Sequence, residues 1–321
     1  MSFARRTLLL SSLLLPLASW ADDYPTRPIE WVVPYAAGGG TDVVARVLSE
    51  PMGKALGQSI IVTNKPGAAT NIGADAVARA KPDGYTLLTG DTGTLAANPY
   101  LYKKLTYNAE KDFAPVGLLV RFPMLLVVNS ELPIKNYAEF VAWAKQQPQG
   151  VSYGTPGAGS PHHLAVELLR AQSQLQLVHV PYRGSAPAVQ DVVAGQLPFM
   201  FVDSAAGIQH VIGGKIRAIA VASPARLPTL PNVPTLQEQG LSGFEAYAWQ
   251  GIVAPTNTPP ERITKLSQAL QSALQQPDIK AKLEAMALEI TPSTAAEMDA
   301  YASAERRKWS AVIASSNITL D

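Results

Sequence analysis

The chain predicts an α/β fold in two domains, each a mostly parallel sheet covered by helices. Three observations carry this. Short apolar runs alternate with helical periodicity over residues 30–128, a second such series follows from about 136, and each series holds a glycine-rich turn between an apolar strand and a helix. A length of 321 with 47% hydrophobic residues suits two domains of about 100–200 residues, each with its own core.

The first series opens with a strand at 29–33 that runs into Tyr35-Ala36-Ala37-Gly38-Gly39-Gly40-Thr41-Asp42. The helix that follows carries Val43, Val44, Val47, Leu48, Met52, Ala55 and Leu56 on one face, with Pro51 inside it as a candidate kink. A strand at 59–63 leads through Lys65-Pro66-Gly67 to Asn71-Ile72-Gly73, which opens a helix ending near Ala80. Lys81-Pro82-Asp83-Gly84 is a turn, and 85–88 is the third strand. Two short strands, 118–120 and 124–128, close the series.

Asn136 with Glu139 three residues on reads as a capping box for a helix to about Gln147. A strand at 151–153 enters the second turn, Gly154-Thr155-Pro156-Gly157-Ala158-Gly159. Ser160 is then the N-cap and Pro161 the first helical residue, which puts His162 and His163 in the first turn. Strands at 176–180, 197–202 and 217–221 follow, with a helix over 186–194. Residues 223–250 are rich in proline with little periodicity, and helices dominate beyond them, the last opened by the capping box Thr294-Ala295-Ala296-Glu297. A helical tail without a sheet of its own is expected to pack on the first domain. The chain then crosses between domains near 120–125 and 245–250, giving a double-strand hinge between domain 1 (22–122 with 248–321) and domain 2 (123–247).

The N-terminus has its own logic. Arg5-Arg6, an apolar run over 8–17 and Ser19-Trp20-Ala21 read as a signal peptide cleaved after residue 21. The run is shorter than the ~20 residues of a membrane span. The expected mature form is exported, by the general or the twin-arginine route, and soluble. Lys and Arg number 26 against 25 Asp and Glu, a balance that argues against a nucleic-acid partner. The absence of cysteine excludes disulfides, zinc-thiolate sites and a cysteine nucleophile.

Catalytic motifs are equally scarce. No G-x-S-x-G elbow occurs, Gly38-Gly39-Gly40 does not complete a dinucleotide fingerprint because position 43 is Val, and Gly213-Gly214-Lys215 lacks the rest of a P-loop. His162, His163, His179 and His210 have no zinc spacing. No catalytic residue, metal or cofactor is expected. What remains is two anion cradles, where glycines allow close backbone approach and helix N–H groups point at a ligand. Gly39 is expected at positive φ.

Each candidate has an ordinary alternative. Ser160 serves equally as a mere cap, and His163 as a satisfied group at a helix start. Arg183 reads as a structural ion pair more readily than as a carboxylate clamp. Asp203 is either an N-cap or a cleft carboxylate that accepts bonds from water, an amine or a protonated acid.

At residues 67–73, Pro82-Asp83-Gly84-Tyr85-Thr86, 153–167, His179-Val180-Pro181-Tyr182-Arg183-Gly184, Pro231-Asn232-Val233-Pro234-Thr235, Trp249 and Glu305-Arg306-Arg307-Lys308-Trp309, the chain resembles the Bug, or TctC-type, extracytoplasmic solute receptors of tripartite tricarboxylate transporters. The resemblance spans essentially the whole mature chain. It implies a two-domain periplasmic binding protein of the type II-like α/β class that holds a small organic carboxylate, largely on backbone amides, and delivers it to membrane permease subunits. A di- or tricarboxylate, an acidic amino acid and an aromatic acid all remain open as the ligand, and a monomer is expected. The first wall is then Tyr35, Ala36, Ala37, Gly38 and Gly39 with Asn71, Thr92 and Gly93; the second is Thr155, Gly159, Ser160, His163 and Asp203. A small-molecule enzyme and a ligand sensor are the competing classes.

Overall fold

Ten strands form one mixed sheet in the computed structural model, which describes residues 23–320. The signal-peptide reading of 1–21 lies outside the described residues. In chain order the elements are β1 (Ile29–Val33), α1 (Gly40–Leu56), β2 (Ile60–Asn64), α2 (Asn71–Ala78), β3 (Thr86–Asp91), α3 (Asn98–Leu101), β4 (Phe113–Asn129), α4 (Tyr137–Ala144), β5 (Val151–Thr155) and α5 (Pro161–Ser173). There follow β6 (Leu177–Pro181), α6 (Ser185–Val193), β7 (Phe199–Asp203), α7 (Ser204–Ile212), β8 (Ile216–Val221), β9 (Tyr247–Pro255), α8 (Pro260–Gln275), α9 (Pro277–Ala285), β10 (Glu289–Ile290) and α10 (Ala295–Ser316).

The strand order is β2-β1-β3-β9-β4-β7-β5-β6, with β8 and β10 also paired to β4. Strands β2, β1 and β3 are parallel, as are β6, β5 and β7, and these are the two βαβ series read from the sequence. Between them run the crossing strands. β4 and β9 are antiparallel from Phe113 opposite Pro255 to Pro123 opposite Tyr247, and β4 then continues from Met124 alongside β7 and β8.

Two expectations are corrected here. The two short strands at 118–120 and 124–128 are one 17-residue strand, β4. The region after residue 223 is not devoid of sheet, because β9 and β10 both pair with β4. β4 is moreover continuous across the point where the two halves of the sheet meet, pairing with β9 up to Pro123 and with β7 from Met124. β9 escaped notice because it is buried along nearly its whole length, and a strand covered on both faces shows no alternation.

Helices α1 and α8 cover one face of the first half, burying Val44, Leu48, Leu266 and Leu270 against Trp31 and Leu119. α10 covers the other, with Met298 and Trp309 in a cluster that continues to Leu164 and Phe199 of the second half. The Thr294–Glu297 capping box that starts α10 is fully formed. Trp309 is fully buried and its indole N–H donates to Glu305 at 2.8 Å, which meets the polar need of a buried indole.

Candidate ligand-binding cleft

The carboxyl ends of β1, β2 and β3 gather the residues of the first wall, where parallel sheets characteristically receive ligands. Pro34 ends the strand run, and the exposed turn Ala36–Gly39 swings into α1. Its N-cap is Gly39, which has no side chain to occupy the helix end, so the first-turn N–H groups have no side-chain cap. The residue at positive φ is Gly38 (φ 85°), whereas Gly39 is extended at φ −76°. The expectation of positive φ at Gly39 is therefore corrected by one position. The Gly38 N–H donates to Asp42 at 2.8 Å, and Asp42 in turn holds Arg46 and Asn64, so the turn is pinned from beneath.

Tyr35 donates its hydroxyl to Asp91. Burial pushes the Asp91 carboxyl above the usual range, and burial together with Asp91 pushes Tyr35 up as well. Asp91 also accepts from the Thr94 N–H at 2.8 Å and so caps the π-helical turn that contains Thr92 and Gly93. Asn71 opens α2. Its Oδ1 accepts from Asn98 at 2.7 Å.

On the second wall the polar groups are largely committed to one another. Thr155 Oγ1 lies 2.6 Å from His179 Nε2. The Gly159 N–H donates to His163 Nδ1 at 3.0 Å, and the other His163 nitrogen is 3.6 Å from Glu167. His163 also stacks on His179 with ring centres 3.9 Å apart. Burial, and then the neighbouring His163, hold His179 down to about 4. Ser160 caps α5 through the His163 N–H, and Asp203 caps α7 through the Ala206 N–H at 3.0 Å. Asp203 Oδ2 lies 3.1 Å from His162 Nε2. Burial opposes ionisation of Asp203, but the His162 ring and the helix N–H groups outweigh it and keep the carboxyl below the usual range. Arg183 is exposed and makes no ion pair with the described residues, so the structural ion-pair reading does not hold.

The two halves of the molecule approach each other at two points beside these turns. A β-carbon at Gly40 would sit 3.9 Å from Ala205 at the start of α7, and one at Gly159 would sit 2.6 Å from Leu101 of α3. Beside the first wall runs the crossing strand β9, of which the sequence signals only Trp249. The Trp249 N–H donates to Thr92 at 3.0 Å, and Gln250 Nε2 donates to Thr41 in the first turn of α1 at 2.7 Å. Among the described residues no cluster of three metal-ligating side chains occurs, and no helix is long and apolar enough to cross a membrane.

Residues 44–318 match the model of the tripartite tricarboxylate transporter family receptor. The solved periplasmic binding protein BugD is 36% identical, covering 92% of this chain and 99% of its own, with a TM-score of 0.81. MatC from Rhodopseudomonas palustris with bound malate is 34% identical over 90% of this chain and 100% of its own, at 0.81. The R. palustris protein Rpa4515 with adipate is 33% identical over 92% and 99%, at 0.85.

Proposed function

This chain belongs to the tripartite tricarboxylate transporter receptor family, a family of solute-binding proteins rather than enzymes, and from that premise we propose that it captures a small organic carboxylate between its two walls and hands it to membrane permease subunits. The observation that carries the reading is the asymmetry of the helix ends. α5 and α7 are capped by their own Ser160 and Asp203, whereas α1 presents uncapped N–H groups behind a glycine turn. A carboxylate is the ligand such an end favours. The malate and adipate held by two relatives are acids of the size expected.

In this reading the halves are domains, 22–122 with 248–321 and 123–247, and β4 with β9 is the hinge about which they close. The protein acts as an exported monomer after loss of residues 1–21. The test is calorimetry of ligand-free protein, prepared by unfolding and refolding, against C4–C10 carboxylates. Binding without turnover supports the proposal. Saturation at 100 times the dissociation constant should add about 2.7 kcal/mol of stability. Failure of every acid to bind or stabilise the protein overturns it, and product formation would favour an enzyme.

A further inference from the structure

Seven buried side-chain polar atoms have no hydrogen-bond partner among the described residues, and three of them belong to Arg121, Trp249 and Gln250 on the paired strands β4 and β9, with Trp249 and Gln250 on opposite faces of the sheet. Buried polar groups are nearly always satisfied, so each such atom asks for an explanation. Gln250 is the informative one. It is only 5% exposed and sits opposite Asp91 on one side and Val120 on the other. Its Nε2 reaches Thr41 in the uncapped first turn of α1, and its Oε1 is the orphan. One end of this carboxamide is therefore anchored at the carboxylate seat, and the other end is a desolvated acceptor beside it.

We propose that Gln250 selects carboxylates that bear a hydrogen-bond donor, a hydroxyl or an ammonium, on the carbon next to the carboxylate held at α1. The inference rests on the carboxylate-receptor reading above. A carboxylate on the α1 N–H groups brings its neighbouring carbon next to Thr41 and hence to the Gln250 amide. A donor on that carbon satisfies Oε1, while a plain methylene leaves it buried and unpaired, which is the more costly arrangement. Sites built with a buried polar group discriminate against analogues lacking its partner better than apolar pockets discriminate by size. Gln250 also lies on a crossing strand, so the contact registers the ligand where the two halves of the sheet meet.

The test uses acids of one skeleton: succinate, malate and aspartate, then adipate with its 2-hydroxy and 2-amino derivatives. Calorimetry on ligand-free protein should give malate or aspartate an advantage over succinate of about 3- to 10-fold, the size of one neutral hydrogen bond. The hydroxyl and ammonium arms tell the two donors apart. Gln250→Met should erase the advantage of the substituted acids over succinate and adipate, and Thr41→Val, which releases the anchor of the amide, should shrink it. The wild-type comparison needs no variant to fold. Succinate and adipate binding as tightly as their substituted partners would overturn the inference and leave the carboxylate reading intact. Equal loss of all acids in a Gln250→Met protein of normal melting temperature would put the amide on the carboxylate itself and also overturn it. If none of the acids binds, both readings fall.

Discussion

His179 makes the stability of the second wall depend on pH in a way that can be calculated. Its folded value of about 4, against 6.5 for the free side chain, means the unfolded chain takes up a proton between those values while the folded protein does not. Stability therefore falls as pH drops from 6.5 towards 4 and is unaffected above that window. At pH 5 the full linkage amounts to about 2 kcal/mol, and because the ring is partly exposed to solvent about 1 kcal/mol is the realistic share. That corresponds to a melting temperature lowered by roughly 2–4 °C in a chain of this size. His179→Phe retains a ring to stack on His163 but has nothing to titrate. Its loss of the Thr155 hydrogen bond should cost about 0.5–1.5 kcal/mol at pH 7.5. Differential scanning calorimetry of both proteins from pH 7.5 to 5.0 should show the wild type losing its lead as the pH falls. A gap that stays constant across the range would refute the assignment of a neutral imidazole with a lowered titration point at this position.

Other perturbations have equally definite outcomes. Gly251→Ala places a β-carbon 2.5 Å from the Met298 methyl and 2.9 Å from the Gly117 carbonyl, so overpacking should cost about 1–3 kcal/mol in urea unfolding. Gly38→Val should damage the first turn more than Gly39→Val, since only Gly38 is left-handed and a β-carbon at Gly39 meets nothing nearer than 3.7 Å. Circular dichroism melts and carboxylate calorimetry on the pair would check the ranking. Asp203→Ala removes the cap of α7 and should cost about 1 kcal/mol at neutral pH. Because the folded Asp203 carboxyl titrates below 3.8, the wild-type advantage is full above that value and should fade as acid protonates it.

The elements whose signal is local were legible in the sequence. Ser160-Pro161 and the Thr294–Glu297 box predicted the starts of α5 and α10 because capping needs only adjacent side chains. β1 was legible because a glycine turn ends it cleanly. β9 was not, since residues buried on both faces have no period to read. The same blindness hid Gln250. Its importance comes from a partner 209 positions away, Thr41, and no spacing encodes that. His163 was placed correctly in the first turn of α5, yet the sequence could not tell that both its ring nitrogens face partners inside the wall.

The pairing of Pro123 with Tyr247 makes the second half of the molecule a cassette. Its two ends leave the first half from neighbouring strands about 4.8 Å apart, so everything between them is one contiguous segment hung on a hairpin stem. Grafting the corresponding segment of a relative onto the same two positions would replace Thr155, Ser160, His163 and Asp203 together and leave Gly39, Asn71 and Gln250 in place. Such chimaeras would separate the two walls' contributions to selectivity, because the joint falls where the ladder already brings the chain back to itself.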